Sequence, residues 1–381
     1  MGGGHDLYGL YIHIPFCRAK CSYCDFCSFP GMEDLYARYV EALACEMGLA
    51  GAPAVKTIYF GGGTPSVLPP PLLARLVEAA RTAFDTSAVR EMTIEANPGT
   101  VGAALLSDLV RMGFSRLSLG VQSLNAGELA LLGRTHTAEQ AVEAAAAARA
   151  AGFEQINLDL IYGLPGQTAA AWLESLERAL ELGPDHLSLY ALTLEEGTPL
   201  AARVRSGAVP EPDPDQAADM YEAAEQMLDA EGFVHYEISN WAVSEAAECQ
   251  HNLVYWRNEP YLGLGAGAHS WTGGRRRANL ASPAEYAARM AACMPVVEEA
   301  EQISPEMEMG ETMMLGLRLL QEGVEYARFQ ERFGAGLRER YGAEIDELVE
   351  RGLLEVGPRG IVLSERGRLL GNQVFMRFLA D

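Results

Sequence analysis

The sequence predicts an α/β protein: a partial barrel of six strand–helix units, then a smaller C-terminal unit of helices closed by a hairpin. Three observations carry this. Between Tyr8 and about Tyr190, short apolar runs alternate six times with stretches of helical length, which implies parallel strands, right-handed crossovers and helices outside the sheet. The residues with chemistry in them stand just after the strands, the face where loops converge in parallel barrels. From about Ile303 the pattern turns to helices followed by one hairpin-like stretch. Six units fall short of a closed eight-strand barrel.

The expected strands are Leu10–Ile14, Thr57–Phe60, Met92–Glu95, Arg116–Leu119, Ile156–Leu160 and His186–Tyr190. The helices between them include Leu35–Leu49, Pro71–Phe84, Thr137–Ala151 and Ala170–Leu182, which show helical apolar spacing or an Ala-rich run. Residues 197–215, rich in Pro, Gly and acid, suggest a loop into a helix Gln216–Glu231. His235–Ala242 reads as one further strand. Residues 249–271 mix His251, Asn252, Tyr255, Trp256 and His269 with a glycine run, unusual for a connection. The last part reads as helices Met307–Leu320, Tyr326–Phe333 and Leu337–Leu353, a hairpin Leu353–Leu363 turning at Pro-Arg-Gly, and a helix Glu365–Leu379. The corresponding division is 1–242, a connecting segment 243–302, and 303–381.

Composition narrows the function classes. With 381 residues the chain can bury a full core and carry a second unit. Its 52 acidic against 29 basic residues, net charge −23, repel phosphate backbones and make nucleic acid a poor partner. The run Arg275-Arg276-Arg277 reads as a solvated loop, with an anionic partner as the alternative. Four of seven cysteines fall between Cys17 and Cys27, which points to a reducing compartment and metal binding rather than disulfides. Cys45, Cys249 and Cys293 read as scattered structural residues. No window reaches spanning length. MGGGHDLYG lacks a charged n-region and an apolar h-region, and Asp6 stands where a myristoylation signal wants Ser or Thr. The expected location is cytoplasmic, with peripheral membrane contact left open.

The chemistry concentrates in YIHIPFCRAKCSYCDFCSF, Tyr11 to Phe29, where Cys17, Cys21 and Cys24 stand at C-x3-C-x2-C. Neighbouring thiols in so short a loop cannot all pair without strain, whereas converging sulfurs suit soft metal chemistry. Three ligands would leave one iron of a [4Fe–4S] cluster open to a small molecule. A zinc site with Cys27 as fourth ligand is the alternative. After the second strand, Gly61-Gly62-Gly63-Thr64 offers backbone groups without side-chain obstruction. Glu95 and Asp159 stand among apolar strand residues and must find partners. Arg134 is a fixed fork of donors suited to a carboxylate; an internal salt bridge to one of those acids is the alternative.

The cysteine spacing, with Tyr23 directly before the last thiol, resembles the signature of the radical S-adenosylmethionine (SAM) superfamily. The wider wording YIHIPFC is similar to the HemN/HemW branch, which holds oxygen-independent coproporphyrinogen III oxidase and haem chaperones. The resemblance spans nearly the whole chain and implies a partial (β/α)6 radical-SAM barrel with a C-terminal winged-helix-like domain. It implies a [4Fe–4S] cluster on Cys17, Cys21 and Cys24, with SAM surrounded by Tyr11, Tyr23, Gly62, Gly63, Thr64, Glu95, Gln122, Arg134 and Asp159. H-N-x-x-Y-W at His251, Asn252, Tyr255 and Trp256 resembles the motif of the chaperone side. A histidine beside aromatics suits haem, imidazole for iron and rings for the macrocycle. A buried, hydrogen-bonded histidine is the alternative for His251, and His13 and His269 are further haem-ligand candidates. Phe26 stands where the oxidase carries a fourth cysteine, and the oxidase has a longer arm before Tyr11. The expected function is therefore a haem chaperone that passes haem to an acceptor protein. The oxidase, or a related radical SAM methyltransferase, is the alternative; whether the chain turns over as an enzyme or forms a homodimer stays open.

Overall fold

A twelve-stranded sheet organises the computed structural model, which describes residues 7–379. The N-terminal reading of Met1 to Asp6 lies outside the described residues. The barrel strands are β1 (Tyr8–Ile14), β2 (Val55–Gly62), β3 (Glu91–Ala96), β4 (Arg116–Gln122), β5 (Gln155–Tyr162) and β6 (His186–Ala191). Each pairs in parallel with the next. Between them lie α1 (Tyr36–Leu49), α2 (Pro70–Ala83), α3 (Ala103–Met112), α4 (Ala126–Leu132), α5 (Ala138–Ala151) and α6 (Ala169–Leu180).

The period of two along each strand separates two environments. Leu10, Ile12, Ile58, Phe60, Leu117, Leu119, Leu158 and Leu160 join helix residues such as Tyr39, Leu43, Leu76, Leu109 and Leu176 in one apolar layer. Burying each large apolar side chain stabilises the fold by roughly 1.5–3 kcal/mol. The alternate positions carry Thr57, Thr93, Arg116, Ser118, Asn157, His186 and Ser188, all buried. Hydrogen bonds satisfy much of this polar lumen: His186 Nδ1 pairs with Asn157 Oδ1 at 2.6 Å, and Asn157 Nδ2 donates to Ser118 Oγ at 2.8 Å. The barrel is thus apolar outside and polar inside.

Beyond β6 the expectations are refined. Residues 197–215 contain a short helix, α7 (Pro199–Arg205), because the Thr198 hydroxyl caps it by accepting from Ala201 N at 3.3 Å. Asp213 caps α8 (Pro214–Ala230), which therefore starts before Gln216. His235–Ala242 is a hairpin rather than one strand: β7 (Val234–Glu237) and β8 (Asn240–Ala242) pair antiparallel. Its turn is held by Ser239 N donating to the buried Glu237 carboxylate at 3.1 Å. Then α9 (Gln250–Trp256) lies under the N-terminal end of the barrel, with His251 and Val254 against Gly9. It leads to β9 (Tyr261–Leu264), which adds a parallel strand on the far side of β1. Strands β10 (His269–Thr272), β11 (Arg275–Asn279) and β12 (Val297–Gln302) continue the sheet antiparallel, with α10 (Pro283–Ala291) before β12. The basic run is strand, not loop: Arg276 meets Glu311 at 2.7 Å and Glu301 at 3.8 Å.

The C-terminal part holds α11 (Pro305–Gly316), β13 (Val324–Glu325), α12 (Tyr326–Phe333), α13 (Leu337–Glu350), β14 (Leu354–Val356) and β15 (Gly360–Leu363). Its small sheet has the order β13-β15-β14, over a core that includes Met313, Leu317, Phe329, Ile345, Leu348 and Ile361. The last helix divides at Leu370 (φ −109°, ψ 20°) into α14 (Glu365–Leu369) and α15 (Gly371–Phe375). The break turns Val374, Phe375 and Phe378 into that core. Arg318 lies 4.3 Å over the Trp256 ring, and Arg257 meets Glu322 at 2.6 Å, so α9 also joins this part to the barrel. No described helix is long and apolar enough to cross a membrane.

Candidate functional site

A cavity of about 410 Å³ opens at the C-terminal ends of the barrel strands. Cys17, Cys21, Cys24, Tyr23, Gly62, Gly63, Thr64, Glu95, Gln122, Arg134 and Asp159 all line it. These positions are separated by up to about 140 residues in sequence, yet parallel strands deliver them to one rim. All three thiols are free. Cys27 faces elsewhere: its Sγ donates to Ala281 O at 3.4 Å and packs against Gly267. The four-thiol arrangement considered for zinc therefore does not form, because the chain turns over between Cys24 and Cys27.

The glycine loop is held against the cysteine loop by backbone. Gly63 N donates to Ile14 O at 2.9 Å and Thr64 N to Phe16 O at 2.8 Å. A Cβ on Gly63 would fall 2.6 Å from Phe16 O, and one on Gly62, at φ +115°, 2.5 Å from the His13 ring. Only glycine permits this approach. Gln122, at the end of β4, adopts φ +68°, a costly conformation for a residue with a side chain and one that clusters at functional sites.

Arg134 is tied into the same rim. Its Nη1 donates to Cys21 Sγ at 3.3 Å, and its Nη2 reaches Asn97 Oδ1 and Gly120 O. Asn97 Nδ2 donates to Thr64 Oγ1 at 2.9 Å, and Thr64 Oγ1 lies 3.5 Å from Cys17 Sγ. One polar chain thus links two of the three thiols. Arg134 Nε is buried and without a partner among the described residues. The alternative salt bridge from Arg134 to Glu95 or Asp159 does not form. Glu95 accepts instead from Tyr59 OH at 2.8 Å and Gly62 N at 3.1 Å, and Asp159 from Ser118 Oγ at 3.1 Å and Asn157 Nδ2 at 2.8 Å. Burial pushes the Glu95 carboxyl up to about 7, against the hydrogen bond from Tyr59, and burial also raises Asp159. Asn97 and Tyr59 escaped the sequence reading, although both fall on the lumen face by the strand period, two residues from Glu95 and Gly61.

Tyr11 stands apart from the other SAM candidates. It lines a lower chamber of about 220 Å³ with Arg116, Asn157, His251 and Tyr255, while Tyr59, Glu95, Ser118, Asp159 and Tyr190 border both spaces. Its hydroxyl pairs with His13 Nδ1 at 3.0 Å, and His13 Nε2 pairs with Cys27 O at 3.0 Å. His251 is 1 % exposed, with Nδ1 bonded to Thr57 Oγ1 at 2.8 Å and Nε2 to Tyr255 OH at 2.9 Å. Burial first, then the Arg116 and Lys56 charges, lower its pKa to about 3. Both ring nitrogens are engaged, the arrangement that the buried-histidine alternative expects. The H-N-x-x-Y-W motif builds the plug beneath the barrel. His269 is exposed on β10.

Comparison with known proteins gives the family. The model of the radical SAM superfamily matches residues 11–179, and that of the HemN C-terminal domain matches residues 303–370. The heme chaperone HemW of Lactococcus lactis is 39 % identical over 371 residues, 97 % of this chain and 97 % of that protein. The heme chaperone HemW of Bacillus subtilis is 37 % identical over 376 residues, 97 % of this chain and 99 % of that protein. The solved structure of coproporphyrinogen III oxidase (HemN) from Escherichia coli superposes with a TM-score of 0.84 over 98 % of this chain and 90 % of that one. At 24 % identity that likeness concerns the fold alone. The partial barrel, the thiol-rimmed cavity and identities of 37–39 % over nearly the full length of these relatives converge on one assignment: the chain belongs to the HemW family of the radical SAM superfamily.

Proposed function

We propose that this chain is a haem chaperone, which holds a [4Fe–4S] cluster and SAM in the upper cavity, binds haem as cargo and passes it to an acceptor protein. The observation that carries this reading is the identity of 39 % with a heme chaperone over 97 % of both chains. The donor set supports the cofactors: three free thiols on one rim, and an unpartnered buried guanidinium N–H on the same wall. Cys17, Cys21 and Cys24 would hold three irons and leave the fourth to SAM. When bound, the cluster supplies an electron to the SAM sulfonium. Gly62 and Gly63 present unobstructed backbone for the SAM amino group, and Arg134 Nε is free for its carboxylate. Glu95, Gln122 and Asp159 face the remaining polar groups, with Tyr23 and Thr64 completing the wall. With its carboxyl near 7, Glu95 can either donate to or accept from a ligand hydroxyl at neutral pH. Tyr11 supports this wall from below through His13.

In the same reading the acceptor is a separate protein, nucleic acid is not a partner, and the chain works in the cytoplasm, alone or as a homodimer. The working division is 1–242 for the core, 243–302 for the connecting segment and 303–381 for the C-terminal unit.

The test is a haem titration of the anaerobically reconstituted protein, followed by Soret absorbance. The same sample is given coproporphyrinogen III, SAM and a reductant. Stoichiometric haem binding without decarboxylation is expected. Protoporphyrinogen formation without specific haem binding would make it the oxidase.

A further inference from the structure

We propose that haem seats in the mouth of the upper cavity, with Phe26 as its apolar contact and Lys20 as the anchor for its carboxylates. This rests on the haem-chaperone reading above. Phe26 is 66 % exposed, yet it lines the cavity beside Cys24. A phenyl ring left in water at a rim gains most from a flat apolar ligand laid against it. The end of β6 brings Tyr190 and Ala191, and the segment after it Leu192, to the same cavity. Apolar groups from two separate segments therefore line it.

Lys20 supplies the charge. Its Nζ donates to Phe26 O at 3.2 Å, which holds the ammonium beside the ring. Arg18 is turned away, donating to Gly99 O at 3.0 Å. Asp25 and Glu195 line the same cavity, so Lys20 stands as a cation among carboxylates and marks the point of the mouth that attracts an anionic group. A flat apolar macrocycle edged by two carboxylates is the ligand class that uses both groups. The lower chamber is lined largely by polar side chains, Arg116, Asn157 and Asp159 among them, and suits an apolar macrocycle less.

The experiment compares wild type, Phe26→Ala, Lys20→Ala and Met376→Ala, all with the cluster reconstituted. Met376 is 72 % exposed and lines none of the cavities described above, so it controls for haem adhering to any exposed apolar group. Each protein is titrated with haem and with haem dimethyl ester, and cluster absorbance reports integrity. Phe26→Ala should weaken haem binding about tenfold with cluster absorbance unchanged. Lys20→Ala should erase a preference for haem over its ester. Equal affinity in wild type and Phe26→Ala, or an equal loss in Met376→Ala, overturns the Phe26 seat. An ester that binds wild type as tightly as haem overturns the Lys20 anchor. If wild type binds no haem at all, the chaperone reading fails and this seat with it, a result distinct from haem binding that ignores Phe26.

Discussion

Arg134 Nη1 donates to Cys21 Sγ at 3.3 Å, so a fixed cation touches one of the three rim thiols. A donor to a cluster thiolate stabilises the more reduced state. Arg134→Gln should lower the midpoint potential of the reconstituted cluster and weaken SAM binding by about tenfold or more, the scale of a lost charged hydrogen bond. Redox titration followed by electron paramagnetic resonance, with SAM calorimetry, checks both. Unchanged values would remove Arg134 from the site.

Cys27 hydrogen-bonds Ala281 rather than facing the cavity. Cys27→Ser should leave iron content and charge-transfer absorbance intact, whereas Cys17→Ser, Cys21→Ser or Cys24→Ser should each lose most of both. Iron loss in Cys27→Ser would return it to the ligand set.

Glu95 carries a folded-state pKa near 7 against an ordinary value of 4.5. The folded state therefore holds a proton that the unfolded state releases between these values. The associated stability is complete below about pH 4.5 and is lost as pH rises through 7, on the order of 3 kcal/mol in all. Glu95→Gln should flatten the pH dependence of Tm over that window, and at pH 8 it should be the more stable protein before cofactors are added. Parallel Tm–pH profiles would place the titration elsewhere.

His251 bridges Thr57 and Tyr255 below the barrel. His251→Ala leaves two buried hydroxyls without that partner and a cavity behind them, so a loss of about 2–4 kcal/mol is expected. Because its pKa is lowered to about 3, the folded state stays neutral where the unfolded ring protonates. Wild type should therefore lose stability as pH falls below 6.5, and His251→Ala should lose less. Haem should still bind the variant well below its Tm; loss of the Soret band there would restore His251 as a ligand.

The barrel was legible because its signals are local. Alternation of apolar runs with helical stretches, and a turn chemistry that puts Gly62 and Gly63 at the end of β2, need no knowledge of distant residues. The cysteine spacing is local in the same sense, and it carried the cluster assignment without a fold. The short helix capped by Thr198 was read as loop, and the start of α8 after Asp213 was missed by two residues, because cap hydrogen bonds outweigh composition at a terminus.

What the sequence determined by itself was therefore the parallel barrel, the thiol loop and the family of chemistry it serves. The tertiary structure decided which neighbours those residues received. β9 reaches β1 through Gly9 and Tyr261, a pairing that no local pattern announces. Arg134 bonds Asn97 and Cys21 rather than making the alternative salt bridge, because the turn after α4 sets the guanidinium opposite an amide and a thiol rather than a carboxylate. Packing likewise brought Tyr11 and His251 together in the lower chamber: side-chain type says what a group can bind, but only register and packing say what lies within reach.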